Sequence, residues 1–439
     1  MRERLDQHPV ELLHHLIRFD TTNPPGNEAQ CVRYLASVLQ EAGFTPTIVA
    51  KQPERPNLIA HLKGRGEAPP LLLHGHVDVV TAKDQRWTYP PFEGIIADGY
   101  LWGRGALDMK SGVVTILCAL LRARAEGITP PGDIIAAFVS DEENGGTYGA
   151  EYLVTEHRQL FEGVRYSIGE GGGSTYYVEG RKLYPIMVAE KQTCWMHTTL
   201  RGAGGHASRR HRGTAMAKLG QLLTALDQHR LPVHITPVVR LMIQELADAL
   251  PADSSHALRQ LLDPARTDAV LDELGERGAE FDPLLHNTVN ATIVQGGFKT
   301  NVIPSEIVVT LDGRLLPGFQ AETLFAELRQ LVGRELELEI ESHTPSPSEP
   351  DLSLYPLLRD ILHEADPDAR PFPHVLTGAT DGAFFAQLGI QNYGFLPLAL
   401  PPDFDPMSLI HAADERLPLD AMDFGIAALL QLFQRFGIH

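Results

Sequence analysis

The sequence predicts a two-domain α/β protein: a layered domain of alternating strands and helices, into which a smaller βαββαβ unit is inserted. Three observations predict it. The chain has 439 residues, beyond the size at which a single hydrophobic core usually keeps growing. Residues 1–186 alternate strand-like and helix-like patterns, and the alternation resumes after residue 343, as in a sheet covered by helices on both faces. Residues 187–342 instead read βαββαβ, the split pattern of a ferredoxin-like unit.

Each element has a local reason. Residues 11–19 are amphipathic, with Leu13, Leu16 and Ile17 on one side. The turn DTTNPPGNE leads into a helix over 28–42 that stops at Gly43, a residue suited to a helix C-terminal cap. Strands are expected at 46–50, 57–62 and 71–74. The last is the run Leu71-Leu72-Leu73 behind Pro69-Pro70, the pattern of a strand buried on both faces. A helix over 111–126 ends at Gly127, and a buried strand (133–139), a helix (149–160) and a strand (164–169) follow. The inserted unit reads strand 188–201, helix 213–228, strands 288–295 and 305–314, helix 321–332 and strand 335–341. A Leu/Ala/Asp-rich insert at about 230–286 interrupts it, with two or three short helices expected there. The Pro/Ser-rich HTPSPSEPD (343–351) reads as a linker. Helix 353–364, a strand near 390–396 and helix 418–436 complete the outer domain, which therefore comprises 1–186 and 343–439.

Composition excludes several function classes. A net charge of −19 argues against nucleic acid and against an anionic membrane surface, since both require basic patches. Cys31, Cys118 and Cys194 form no CxxC pair, which argues against a thiolate zinc site; Cys118, within VVTILCALL, reads as core. The N-terminal stretch lacks a signal-peptide apolar core, and the longest apolar runs are about half the ~20 residues of a membrane helix. A cytoplasmic protein is expected. The glycine runs at 171–173 and 202–205 lack GxGxxG spacing between strand and helix and read as loop and hinge.

The chemistry concentrates where apolar strands end. LLLHGHVDVV places His74, His76 and Asp78 at the end of a buried strand, where α/β proteins open a cleft. Side chains alternate along a strand, so His76 and Asp78 point the same way, and Asp78 can hold the second imidazole nitrogen. An isolated HxD is more often a core histidine with a structural aspartate. His74 completes an HxH, but Val79 rather than His follows Asp78, so His74 reads as core. Asp108 lies in GRGALDMKSG, where a helix-initiating aspartate is the competing reading. Glu142 and Glu143 follow the apolar IIAAFVS; Glu170 lies in SIGEGGG and His411 in LIHAADERLP. Two histidines, three carboxylates and one spare carboxylate are the set a two-zinc hydrolase needs.

In order, HGHVDVV, GRGALDMKSG, SDEENGG, GEGG, GGHAS, GGFKTNVIP and IHAADERLP resemble the motifs of the M20 metallopeptidase family over nearly the whole chain. That family includes carboxypeptidases, dipeptidases, aminoacylases, acetylornithine deacetylases and succinyl-diaminopimelate desuccinylases. The resemblance implies a zinc-peptidase-like three-layer catalytic domain with a ferredoxin-like lid that commonly dimerises, and two Zn2+ per chain, with Co2+ or Mn2+ as alternatives. It implies one zinc on His76, Asp108 and Glu170 and another on Asp108, Glu143 and His411, with Asp108 bridging and often followed by a cis bond. Asp78 would orient His76. Glu142 would be the general base acting on a metal-bound water. His206 would hydrogen-bond the tetrahedral oxyanion, from the partner subunit in dimeric members. Asn301 and Arg314 would bind the carboxylate or acyl end of the substrate, and Gly378 and Thr380 would line its pocket. The implied reaction is cleavage of an amide bond in a short peptide or an N-acyl amino acid. The choice between dipeptidase or carboxypeptidase and N-deacylase stays open, because specificity resides in lid and pocket side chains. A non-catalytic relative would lack a ligand or the base, and none is missing. A serine amidase would need a GxSxG elbow, which the chain does not contain.

Overall fold

The apolar run at 71–73 forms the first half of the strand Leu71–His76, all six residues of which are buried. A computed structural model describes residues 5–347 and 349–437. The first residues of the N-terminal stretch, Ser348 of the Pro/Ser-rich segment and the last two residues lie outside the described residues. The chain divides into two compact units. One comprises residues 1–188, 351–374 and 380–439, and the other residues 189–350 and 375–379. The Pro/Ser-rich segment, expected as a linker, thus groups with the second unit. The reason is pairing: the strand Leu338–His343 continues into it, with His343 opposite Cys194 and the Thr344 amide donating to the Thr193 carbonyl at 3.1 Å.

The first unit is built on a nine-stranded sheet. Its path runs Thr47–Ala50, Pro56–Leu62, Ile134–Val139, Leu71–His76, Tyr166–Gly169, Gln391–Gly394, Arg181–Glu190 and Arg370–Leu376, with Tyr176–Val178 paired to Arg181–Glu190. The four middle strands, from Ile134–Val139 to Gln391–Gly394, are mutually parallel. In register, Leu71 faces both Ile134 and Tyr166, and His76 faces Val139. Leu71–His76 and Ile134–Val139 are buried at every residue, which is why they carry apolar runs rather than alternating patterns. On one face Leu72, Ile135, Ala137 and Val139 pack with Ala150, Leu153, Phe161 and Phe385. The helix Lys110–Glu126 lies against Leu71–His76 and is itself covered by Pro9–Ile17 and Ala421–Arg435. It is buried on nearly every side and ends at Gly127, whose φ of +70° carries the amide back to the Ala123 and Arg124 carbonyls, a turn that glycine makes without a Cβ penalty.

The second unit is a four-stranded antiparallel sheet in the order Thr288–Gln295, Glu306–Leu315, Gln192–Arg201, Leu338–His343. That is the ferredoxin-like strand order, and Ala215–Gln228 and Ala321–Val332 are its two helices. Ile307, Val309, Leu311 and Leu315 alternate onto the core with Met196, Leu200, Leu222, Leu324 and Leu328. The expected single strand at 188–201 is two strands that break at Lys191, Arg181–Glu190 in the large sheet and Gln192–Arg201 in the small one. The buried Lys191 ammonium donates to the Pro283 and His286 carbonyls and to Thr288 Oγ1 at 2.8, 2.9 and 3.2 Å, anchoring the insert to this strand. The insert holds four helices rather than two or three: Pro237–Ala249, Ala252–Gln260, Thr267–Leu274 and Glu276–Leu285. Among the described residues no helix is long and apolar enough to cross a membrane.

Candidate metal centre

Three adjacent parallel strands deliver their C-terminal ends to one place. His76 is the last residue of Leu71–His76, Glu142 and Glu143 follow Ile134–Val139, and Glu170 follows Tyr166–Gly169. Open α/β sheets bind ligands at such ends. Asp108 arrives from the loop before Lys110–Glu126, through an Asp108–Met109 bond that is cis. His411 arrives from the loop ahead of the strand Arg416–Pro418.

Asp108 joins the group by using both oxygens. Its Oδ1 lies 3.1 Å from His76 Nε2 and its Oδ2 lies 3.1 Å from His411 Nε2. His76 Nε2 is also 3.8 Å from a Glu170 oxygen and 3.8 Å from a Glu142 oxygen. His411 Nε2 is 3.2 Å from Glu143 Oε2. Two groups could therefore each hold a metal ion, His76 with Asp108 and Glu170, and Asp108 with Glu143 and His411; the donor atoms of each lie within 4.8 Å of one another. The first is enclosed, with 1% of the His76 side chain exposed, whereas 51% of His411 is exposed.

The electrostatics fit a site for cations. Burial alone would lower the His76 pKa, but Asp108, Asp78 and Glu170 outweigh it and push it well above the usual imidazole value. Asp108, and then Glu143, raise His411 to about 10. Burial works against ionisation of Asp108, yet the two imidazoles hold its carboxyl well below the usual range. Burial, followed by Glu170, pushes Glu142 well up, and burial raises Glu170. Four carboxylates around two imidazoles are costly to keep out of water unless positive charge compensates them. Glu143 Oε1 is buried without a hydrogen-bond partner, an open valence that a cation would fill.

Asp78 meets His76 through its backbone. His76 Nδ1 is bonded at 3.0 Å by the backbone carbonyl of Asp78, and the nearest Asp78 carboxylate oxygen stands 3.6 Å away, too far for a hydrogen bond. The carboxylate instead accepts the Glu142 and Glu143 amides, both at 3.2 Å, and Asn23 Nδ2 at 2.8 Å. It orients the turn that carries the two glutamates. Ahead of that turn, Asp141 sits at a φ of +72°, an unusual conformation for a residue with a Cβ. Asn23 Nδ2 (2.9 Å), Arg55 Nη1 (2.9 Å) and the Tyr148 amide (3.0 Å) hold its carboxylate there, and Arg55 is clamped in turn by Glu28 at 2.6 Å. His74 is a core residue: its Nε2 meets Asn392 Oδ1 at 2.9 Å, and burial lowers it to about 4.

Sequence reasoning missed Asn23, Asp141, Asp381 and Glu415. Asp381, two residues before the helical residue Ala383, is buried with both carboxylate oxygens lacking a hydrogen-bond partner. Burial pushes its carboxyl well up; the nearby charge of His76 opposes that, and those of Asp78 and Glu170 add to it. Its signal was TGATDGAFF, where Thr380 was singled out and its neighbour was not. Thr380 is buried, and its Oγ1 accepts the Gly382 amide at 3.0 Å; Gly378 belongs to the second unit.

In the second unit, Gly205–His206 pairs with Val302–Ile303, and Asn301 adjoins this ribbon, its carbonyl accepting the Ala207 amide at 3.1 Å. His206 is exposed, and its Nδ1 accepts the Ser208 amide at 3.2 Å, which assigns the N–H to Nε2. Arg314 is forked onto Asp312, at 2.8 and 3.1 Å.

The family model for peptidases M20/M25/M40 matches residues 72–435. The chain belongs to the M20 peptidase family. Human N-fatty-acyl-amino acid synthase/hydrolase PM20D1 is 26% identical over 375 residues, which span 83% of this chain and 74% of the relative. Porcine aminoacylase-1 is 26% identical over 432 residues, spanning 94% and 92%. Among solved structures, the M20 family metallo-carboxypeptidase Sso-CP2 from Sulfolobus solfataricus superposes with a TM-score of 0.69 at 16% identity, covering all of both chains. This M20 protein is a hydrolytic enzyme, and its two-unit α/β architecture is that of the family.

Proposed function

We propose that this M20 enzyme is a two-zinc hydrolase that cleaves the amide bond of an N-acyl amino acid, with short peptides as the second substrate class. The observation that carries the reading is Asp108, which offers one oxygen to each histidine at 3.1 Å and so fits a carboxylate shared by two cations. Two divalent ions held there would polarise the scissile carbonyl and make a water nucleophilic near neutral pH. His76 and Glu170 would complete one position, and Glu143 and His411 the other. Glu142, beside His76 but outside both donor groups, would take the proton from the attacking water and pass it to the leaving amine. The preference for N-acyl amino acids rests on the two relatives named above, one named for N-fatty-acyl amino acids and the other an aminoacylase; peptides remain because a carboxypeptidase shares the fold. The buried free thiols of Cys31, Cys118 and Cys194 accord with a reducing compartment, and a cytoplasmic location is part of the reading.

The test is metal analysis combined with a substrate panel. Two equivalents of zinc, loss of hydrolysis on chelation, and faster turnover of N-acyl amino acids than of dipeptides are expected. Metal-free protein with chelator-insensitive activity would remove the metal reading, and dipeptides turning over faster would reverse the substrate order.

The reading includes a homodimer formed through the second unit. The strand Thr288–Gln295 is an edge of its sheet, and Ile293, Val294 and Phe298 are exposed there, with Met216 and Leu223 exposed on the helix Ala215–Gln228. An unpaired edge with apolar side chains invites a second copy. In such a dimer the Nε2 N–H of His206 would serve the oxyanion in the partner's site. Mixing inactive His206→Ala with inactive Glu142→Gln should restore activity, because one mixed site then combines an intact lid with an intact base. Full subunit exchange without recovery would refute action in trans.

A further inference from the structure

Glu415 is fully buried and directs both carboxylate oxygens at the segment that carries Asp108. Oε1 accepts the amides of Leu107 at 2.7 Å and Asp108 at 3.1 Å. Oε2 accepts the Gly105 amide at 3.0 Å and Arg104 Nη1 at 2.6 Å. The Arg104 side chain, 1% exposed, continues the path: its Nη2 donates to Gln85 Oε1 at 2.9 Å, and Gln85 Nε2 donates to the His411 carbonyl at 2.9 Å. The path thus runs from the Asp108 backbone through Glu415, Arg104 and Gln85 to the His411 backbone. Glu415 also lies four residues beyond His411 in the chain, so the circuit is closed.

The two histidines are held in different ways. His76 ends a buried central strand, and its ring is fixed by a carbonyl of the same loop. His411 has a half-exposed ring and a φ of +62°, a conformation that a residue with a Cβ keeps only where its surroundings impose it. Asp414, also at positive φ, is tied by the Thr88 amide and hydroxyl at 2.6 and 2.8 Å. The His411 loop is therefore tied to residues 85–104 by side-chain hydrogen bonds.

We propose that Glu415, acting through Arg104 and Gln85, is a positioning residue that sets the separation of Asp108 and His411 and so the affinity of the Asp108–Glu143–His411 metal position. The inference rests on the two-zinc reading above. Partners that orient metal ligands typically contribute about 10–100-fold in metal affinity, because coordination tolerates only small departures in ligand distance. The His76–Asp108–Glu170 position shares Asp108 with this path but takes His76 and Glu170 from strand ends, and has no link to Gln85, so it changes less.

The experiment titrates the full-length, chelator-stripped chain with Zn2+ against a chromogenic chelator that resolves two equivalents. Glu415→Gln keeps the shape but removes the charge. Gln85→Leu, at a half-buried position, removes the link from Arg104 to the His411 carbonyl and leaves Glu415 and its bonds to the Asp108 segment in place. In both variants the weaker equivalent should lose about 10–100-fold in affinity and the tighter one should change less. Turnover lost at limiting zinc should return in excess zinc with KM unchanged. Native affinity for both equivalents in Gln85→Leu would overturn the inference. So would equal weakening of both together with a lower melting temperature, the mark of a general structural role. If Glu415→Gln does not fold, Gln85→Leu decides alone. A native chain that binds fewer than two equivalents would overturn the two-zinc reading itself, and this inference with it, before any variant is compared.

Discussion

Replacing Glu142 with glutamine should leave both zinc equivalents bound and lower kcat by about 10²–10⁴-fold, the usual contribution of a positioned general base. Glu142 is within 3.8 Å of His76, yet belongs to neither of the two groups that could hold an ion. Its backbone is held by Asp78 at 3.2 Å, so the amide variant should keep the turn in place and remove only the ability to accept a proton. Binding and chemistry then separate. The measurement is zinc content alongside steady-state kinetics on the substrate selected by the panel. Loss of one zinc equivalent in Glu142→Gln would show that Glu142 and its neighbour have exchanged roles.

Asp108→Ala should have a larger effect on metal than any other single change. Each of its oxygens faces a different histidine at 3.1 Å, so one substitution removes a donor from both positions. Both equivalents should weaken, and activity should fall below detection. His411→Ala, by contrast, should weaken one equivalent only. Chelator-competition titration of the two variants distinguishes the outcomes. If Asp108→Ala and His411→Ala lost the same single equivalent, the shared-carboxylate arrangement would be wrong.

How much of this was legible follows from the range of each interaction. The buried strand at 71–76 and the helix ending at Gly127 are local: an apolar run, a stop residue and a period suffice. The residues picked from the strand-end motifs, His76, Glu142, Glu143 and Glu170, do converge, because parallel strands in register bring their ends together. The strand Arg370–Leu376 was missed, since RPFPHVL carries two prolines and no alternation. The true partners of Asp78 were also hidden. Asn23 lies 55 residues away and had read only as part of a turn, and no sequence period reports a hydrogen bond over that separation. Glu415 stood inside a quoted motif, but its role depends on three backbone amides that only the fold supplies.

The short sheet formed by Ile95–Ala97, Tyr100–Trp102 and Arg416–Pro418 has a consequence for synthesis. Leu417 pairs with Leu101, so the segment after His411 is stitched beside one translated much earlier. A ribosome that has passed residue 170 has already supplied His76, Asp108 and Glu170. His411 and its anchor Glu415 emerge together with the strand that docks them, just ahead of Ala421–Arg435, which packs on Lys110–Glu126. Products that stop before this segment would carry four of the five donor residues and the base, but neither His411 nor the helix Ala421–Arg435. On this reading hydrolytic competence is acquired only once residues 411–435 have been made and docked.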